Sequence, residues 1–335
     1  MNKKYYLTLS LAVFLSCWIP VIYYYLLADP KIQKESLETK YDFEYVKGAI
    51  QPIPRSLTID KDWMLLGKAL FHSTLLSKDN STSCASCHMV DFGGDDGFPV
   101  SLGVGSATGT RNSPTVLNSI FNFRQFWDGR VGTLEEQAPI PIHNQNEMAS
   151  NWEEIIPKLK NENYFNDTFN ELSQFGVTSE NIIKAINIYE QSLITPNSPI
   201  DRFLLGDETA INQQQKRGLE LFLNYGCSTC HQGINIGGNI YQKLGRLDMV
   251  PEVLKKDFGR YQVTSLESDK FIFKVPTLRN IADTAPYFHN GGVDNLSDAV
   301  QIMARSQLAR ELTSSEVDDI VALLQSFSSK LIEIE

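Results

Sequence analysis

The chain has 335 residues, enough for two ordinary domains, with 42% apolar and 21% charged residues. That composition excludes a mostly disordered chain, and the presence of one long apolar stretch alone excludes a polytopic membrane protein. Acidic residues number 40 against 30 basic ones, a net charge of -10 that repels a phosphate backbone and argues against a nucleic-acid partner.

Lys3 and Lys4 precede an apolar run at residues 7–28, long enough for a helix that spans a bilayer. The lysines hold the cytoplasmic side, which sends the rest of the chain outward. Tyr23, Tyr24 and Tyr25 near the outer end suit a membrane interface. Residues 1–30 therefore read as an uncleaved signal anchor, with a cleaved signal peptide or a lipoprotein built on Cys17 as alternatives. No clear small-x-small site follows the run, and further apolar residues follow Cys17, which fits better as a small apolar residue of the anchor. All three readings export residues 31–335, to the periplasm.

Beyond the anchor the pattern predicts helices. Trp63 to Phe71 (WMLLGKALF) is the first, Ile182, Ile186, Tyr189 and Leu193 form a second apolar face, and Gln213 to Asn224 (QQQKRGLELFLN) is a third. Thr313-Ser-Ser-Glu316 is a capping box before Val317, Ile320, Val321, Leu324 and Phe327 at helical spacing. Thr195-Pro-Asn-Ser-Pro199 reads as a turn-rich break.

Four of the five cysteines fall in two identical patterns, Cys84-Ala-Ser-Cys87-His88 and Cys227-Ser-Thr-Cys230-His231. C-x-x-C-H is the attachment site of c-type haem: two thiols add to the two vinyl groups, and the adjacent histidine reaches the iron as proximal ligand. A redox C-x-x-C or half of a zinc site is the bland reading. Two copies, in a chain that is exported, favour two covalent haems. Each motif has a helix before it and another well after it, the arrangement of cytochrome c domains. The expected fold is all-α: two cytochrome c-like haem domains with long loops, at about 40–195 and 200–335.

Further segments follow in order: Arg111-Asn-Ser-Pro-Thr-Val-Leu-Asn118, Phe126-Trp-Asp-Gly-Arg130, Leu134-Glu-Glu-Gln-Ala138, Glu147-Met148, Val275-Pro-Thr-Leu-Arg-Asn280 and Ala285-Pro-Tyr-Phe-His-Asn-Gly291. Across about residues 48–330 the chain resembles the bacterial di-haem cytochrome c peroxidases and their MauG-type relatives. The resemblance implies a peroxidatic N-terminal haem and a C-terminal haem that receives electrons from a small cytochrome c or cupredoxin. It implies reduction of hydrogen peroxide to water.

The resemblance also implies roles for particular residues. Met303 matches the distal ligand of the C-terminal haem, with Met249 as the fallback; otherwise it is a core methionine. In the MauG-type branch a tyrosine stands there, so Met303 favours a peroxidase. Gln137 and Glu147 match the distal glutamine and glutamate of the peroxidatic pocket, where a confined carboxylate moves protons and an amide orients the peroxide. Trp127 matches the tryptophan between the haems, as relay or as rigid spacer. Phe126 is expected at the edge of the peroxidatic pocket, with Asp128 and Arg130 orienting the segment. Asn112, Thr284 and Pro286 match interdomain calcium ligands, and His289 a histidine near the C-terminal haem that acts as a hydrogen bonder. Family members commonly form homodimers.

One position departs from the pattern. Members that need reductive activation carry a distal histidine sixteen residues after the first C-x-x-C-H histidine, where this chain has Val104. Valine cannot bind iron, so the His88 haem is expected to be five-coordinate or to hold water. His72 and His143 are the alternative ligands and read otherwise as surface histidines. Val104 keeps open a MauG-type oxidase of a protein side chain; a non-catalytic electron carrier is the third reading.

Overall fold

The computed structural model describes residues 38–245 and 250–334. The expected anchor at 7–28, Cys17 and Met249 lie outside the described residues. Among the described residues, no helix is long and apolar enough to cross a membrane.

The chain is mostly helical, but not all-α. Two short antiparallel pairs join Lys40–Tyr41 to Leu57–Thr58 and Tyr241–Lys243 to Ile272–Lys274. They tie together segments far apart in sequence, which no local periodicity announces.

The first helix spans Lys61–His72; Asp60 caps it by accepting from Trp63 N. It buries Trp63, Leu66, Leu70 and Phe71, an apolar stripe at helical spacing. Its partner, Ser179–Ser192, is capped by Thr178 and buries Ile182, Ala185, Ile186 and Tyr189. Leu193, expected on that face, is buried just past the helix end. In the second half Gln213–Asn224 opens on a capping box of Asn212 and Gln215, and Ser314–Gln325 on the expected box of Thr313 and Glu316.

Both helix pairs cross at a glycine. A Cβ at Gly67 would lie 1.9 Å from Ala185 O, and one at Gly218 2.0 Å from Asp319 O. The helices approach so closely only because no side chain stands between them. Alanine normally gains about 1 kcal/mol over glycine in a helix. Here the added methyl meets a backbone carbonyl, and overpacking of this kind costs about 3 kcal/mol. We therefore expect Gly67→Ala and Gly218→Ala each to lose about 2 kcal/mol in urea unfolding of the haem-loaded protein followed by far-UV circular dichroism. Unchanged stability in both would show that the crossings have room for a methyl group.

Two apolar cores result. Trp63, Leu70, Ile155, Phe169, Ile182 and Ile186 centre the first; Phe222, Ile320, Leu323, Leu324 and Phe327 centre the second. The ends of the chain cross over. Ile50 packs in the second core, where Gln51 N donates to Gly233 O at 3.2 Å and Gly233 N to Ala49 O at 2.7 Å. Leu331 and Ile334 pack on the first core, and Ile332 N donates to Ile194 O at 2.9 Å.

The segment Thr195–Pro199 does separate two helices, yet it is a buried seam rather than an open linker. Thr195 N donates to Asn118 Oδ1 (2.9 Å), Asn118 Nδ2 to Thr195 Oγ1 (2.8 Å), and Thr195 Oγ1 to Asn280 Oδ1 (2.7 Å). Asn118 and Asn280 are both left-handed, at φ 60 and 58°, a conformation asparagine tolerates. Next to this seam Arg279 Nη1 meets Asp201 Oδ1 at 2.7 Å, with both side chains 0% exposed.

Candidate haem sites and the space between them

The two C-x-x-C-H segments form one short turn each. Cys84–Cys87 is a single helical turn and Cys227–Thr229 a tighter one, and the histidine N in each bonds back to the first cysteine O, at 2.9 Å for His88 and 3.0 Å for His231. Cysteines and histidine are thereby set on one side of the turn.

The histidines are prepared as ligands. His88 Nδ1 lies 3.3 Å from Gly94 O and 3.2 Å from Ser113 Oγ, which itself donates to Cys87 O at 3.0 Å. His231 Nδ1 lies 3.3 Å from Ile236 O. A carbonyl acceptor fixes the proton on Nδ1 and leaves the Nε2 lone pair for a metal. Burial pushes both imidazoles down, His231 to about 4, so both are neutral at neutral pH. Burial also pushes the thiols up, Cys84 to about 12 and Cys227 to about 11. Such thiols are poor redox nucleophiles. Among the described residues no cluster of three His, Cys, Asp or Glu is placed to hold a metal ion.

A cavity of about 280 Å³ adjoins the second motif. Cys227, Cys230 and His231 line it, and so does Met303 from the helix Leu296–Leu308. Trp127, Asn112, Thr284, Pro286 and His289 line it as well. Of the residues singled out in the sequence, these are the ones the fold brings together. Phe126, expected at the edge of the peroxidatic pocket, lines this cavity, with the Arg130 guanidinium 3.4 Å over its ring.

Trp127 is clamped from both halves of the chain. Its Nε1 donates to Asn112 O at 2.9 Å, and its own O accepts from Lys274 N at 2.8 Å. The next residues are held too: Arg111 and Arg130 pair with Asp128, Arg260 Nη1 donates to Asp128 O at 3.1 Å, and Tyr241 OH donates to Gly129 O at 2.8 Å. Those are the partners of Asp128 and Arg130 that the sequence alone did not reveal. His289 stacks on Phe273 with ring centroids 4.3 Å apart, and burial pushes it down to about 4.

Near the first motif, Glu147 is half-buried and accepts from Asn144 Nδ2 at 2.6 Å. Burial pushes its carboxyl up, against the opposing pull of Asn144 and of the Arg130 charge. Burial pushes the Cys87 thiol up, and the charges of Asp96 and Glu147 push it the same way. Val104 N donates to Glu147 O at 2.8 Å, and a Cβ at Gly103 would lie 2.5 Å from that same oxygen. The loop carrying Val104 is therefore laid on the backbone of Glu147. Gln137 is half-buried at the end of the helix Leu134–Gln137. No hydrogen bond among the described residues joins its side chain to another predicted site residue. His72 and His143 are exposed; His143 Nδ1 lies 3.1 Å from Ser150 O and its ring packs edge-on against Trp152.

The match to known proteins decides the family. The family model for the di-haem cytochrome c peroxidases matches residues 61–209. The chain is 42% identical over 320 residues to cytochrome c551 peroxidase of Pseudomonas aeruginosa, covering 92% of this chain and 91% of that protein. This chain belongs to the di-haem cytochrome c peroxidase family. It is 48% identical over 288 residues to cytochrome c peroxidase Ccp of Escherichia coli (strain K12), covering 85% of this chain but 62% of that longer protein. Among solved structures, a MauG-like protein associated with microbial copper homeostasis shares the fold, with a TM-score of 0.72 at 24% identity over 85% of this chain and 94% of that one.

Membership implies two haem c groups, and the residues present fit them. Each motif offers two thiols and a neutral imidazole with its outer nitrogen already bonded, and the second faces a cavity closed by a thioether. The sequence did not point to Lys274, buried in that cavity wall, although it directly precedes the segment Val275–Asn280.

Proposed function

We propose that this chain reduces hydrogen peroxide to water outside the cytoplasm, with electrons from a small cytochrome c or cupredoxin. One observation carries the proposal: a half-buried carboxylate, Glu147, whose backbone oxygen holds the loop at Val104, a position with no ligand-bearing side chain. When bound, haem c supplies an iron that takes up peroxide and another that accepts electrons.

The chain's residues do the rest. Glu147 takes the proton from one peroxide oxygen and returns it to the leaving one. Gln137 orients the peroxide. One peroxide, two protons and two electrons become two waters. Met303 would ligate the haem of the second motif, where a thioether would supply a raised potential suited to electron entry. Trp127, held between Asn112 and Lys274, bridges the halves. Asn112, Thr284 and Pro286, which line the same cavity, would hold a calcium ion at that junction; their oxygens suit a hard cation with several waters. Residues 40–195 are the peroxidatic unit and 200–335 the electron-entry unit. Residues 7–28 anchor the enzyme to the inner membrane, and two copies form a homodimer.

The test is steady-state peroxide consumption by the oxidised protein with pre-reduced cytochrome c and no activation step. Prompt turnover supports the proposal. Turnover only after pre-reduction keeps the peroxidase and sinks the Val104 argument. With no turnover under either condition the peroxidase reading fails. Side-chain oxidation, which Val104 also allows, then becomes the better reading.

Val104→His supplies the missing ligand at a position whose backbone is already fixed. The variant is expected to show a six-coordinate, low-spin first haem by EPR and a lag that pre-reduction removes. An unchanged high-spin signal would mean that the loop holds residue 104 away from the iron.

A further inference from the structure

The cavity beside the second motif has apolar walls and a single residue of fixed charge among the described residues that line it, Lys274. Lys274 is 7% exposed. It ends the strand Ile272–Lys274, where pairing with Tyr241 and its amide bond to Trp127 O fix its backbone. Among the described residues no carboxylate compensates it: burial alone acts on its ammonium and pushes it down to about 8. A buried cation without a partner is costly, and such groups are ordinarily paired or neutral. The haem attached at Cys227 and Cys230 brings two propionate carboxylates into this same space, with the same cost in reverse.

We propose that Lys274 forms the ion pair that holds a propionate of the haem of the second motif, and so raises that haem's reduction potential. The inference rests on the haem assignment at Cys227-Ser-Thr-Cys230-His231. It does not rest on peroxidase activity. Two buried charges of opposite sign satisfy one another where neither could stand alone. A cation beside the porphyrin favours the reduced iron, which carries one positive charge fewer. Lys274 is thus a positioning residue: it fixes the haem edge next to Trp127 and biases where electrons rest. Its amide binds the backbone of Trp127, so haem edge and tryptophan share one support.

The test compares Lys274→Met, Lys274→Gln and Lys274→Arg in the full-length, haem-loaded protein. Intact mass first establishes two haems per chain in each; a wild type without them would overturn the haem assignment, separately from the pairing. Spectroelectrochemical titration then gives a midpoint potential for each haem, and resonance Raman the propionate bending modes. In the Met and Gln variants the second haem's equilibrium constant for reduction should fall at least tenfold, about 59 mV for one electron. Its propionate mode should move, and Arg should restore both. Gln keeps a polar group of similar reach, so a Met variant that fails to fold does not decide the matter. An unmoved second-haem potential, or a shift confined to the first haem, overturns the proposal.

Discussion

Replacing Glu147 by glutamine is expected to lower kcat/KM for peroxide by a factor of about 10²–10⁴, with both haems attached and the potentials unchanged. Glutamine keeps the size and still bonds Asn144, but it cannot carry a proton from one oxygen to the other. The pH profile gives a sharper reading. Burial raises the Glu147 carboxyl above its ordinary range. The acceptor form is the carboxylate, so activity is full above that raised pKa and falls as the pH falls through it. E147Q should lose this acid limb along with the rate. If the variant keeps both the rate and the limb, another group moves the proton, and Glu147 only braces the Val104 loop.

The second large effect concerns stability. Asp201→Ala strips the counter-charge from a guanidinium with no exposure. Arg279 would keep Nε on Ile234 O at 2.9 Å, Nη1 on Ser198 Oγ at 3.2 Å and Nη2 on Gln51 O at 2.7 Å, but with its charge uncompensated. Breaking a buried pair from one side costs about 3–5 kcal/mol. By contrast, the half-exposed pair of Arg55 and Glu44 should contribute about 1 kcal/mol or less. Urea unfolding should therefore show a large loss for D201A, and a loss for D201A/R279M smaller than the sum of the single changes. Additive losses would mean the two side chains act independently, against their geometry.

What could be read in the sequence was what chemistry encodes within a few residues. The C-x-x-C-H spacing, the capping box at Thr313 and the apolar stripe of Trp63, Leu66 and Leu70 each fit in two turns or fewer. The helix Gln213–Asn224 was expected with the bounds it has. Glu147 and Met303 were visible only through the resemblance, since alone they are a surface carboxylate and a core methionine. Hidden altogether were contacts between distant segments. Nothing near Asp201 announces Arg279, nothing near Trp127 announces Lys274 or Tyr241, and the turn residues at 195–199 gave the bend but not its burial. Residue type sets a local conformation, whereas burial of a polar group depends on which partner the tertiary fold delivers.

The exchanged ends bear on how the protein comes into being. A chain made from its N-terminus presents residues 49–53 long before Gly233 exists to receive them. The first core likewise waits for Leu331 and Ile334, which are made after every residue of the second core. The first half cannot close fully until the second has been made. During that interval the core against which Cys84 packs is still incomplete. The late crossover then closes the first half, like the last turn of a knot.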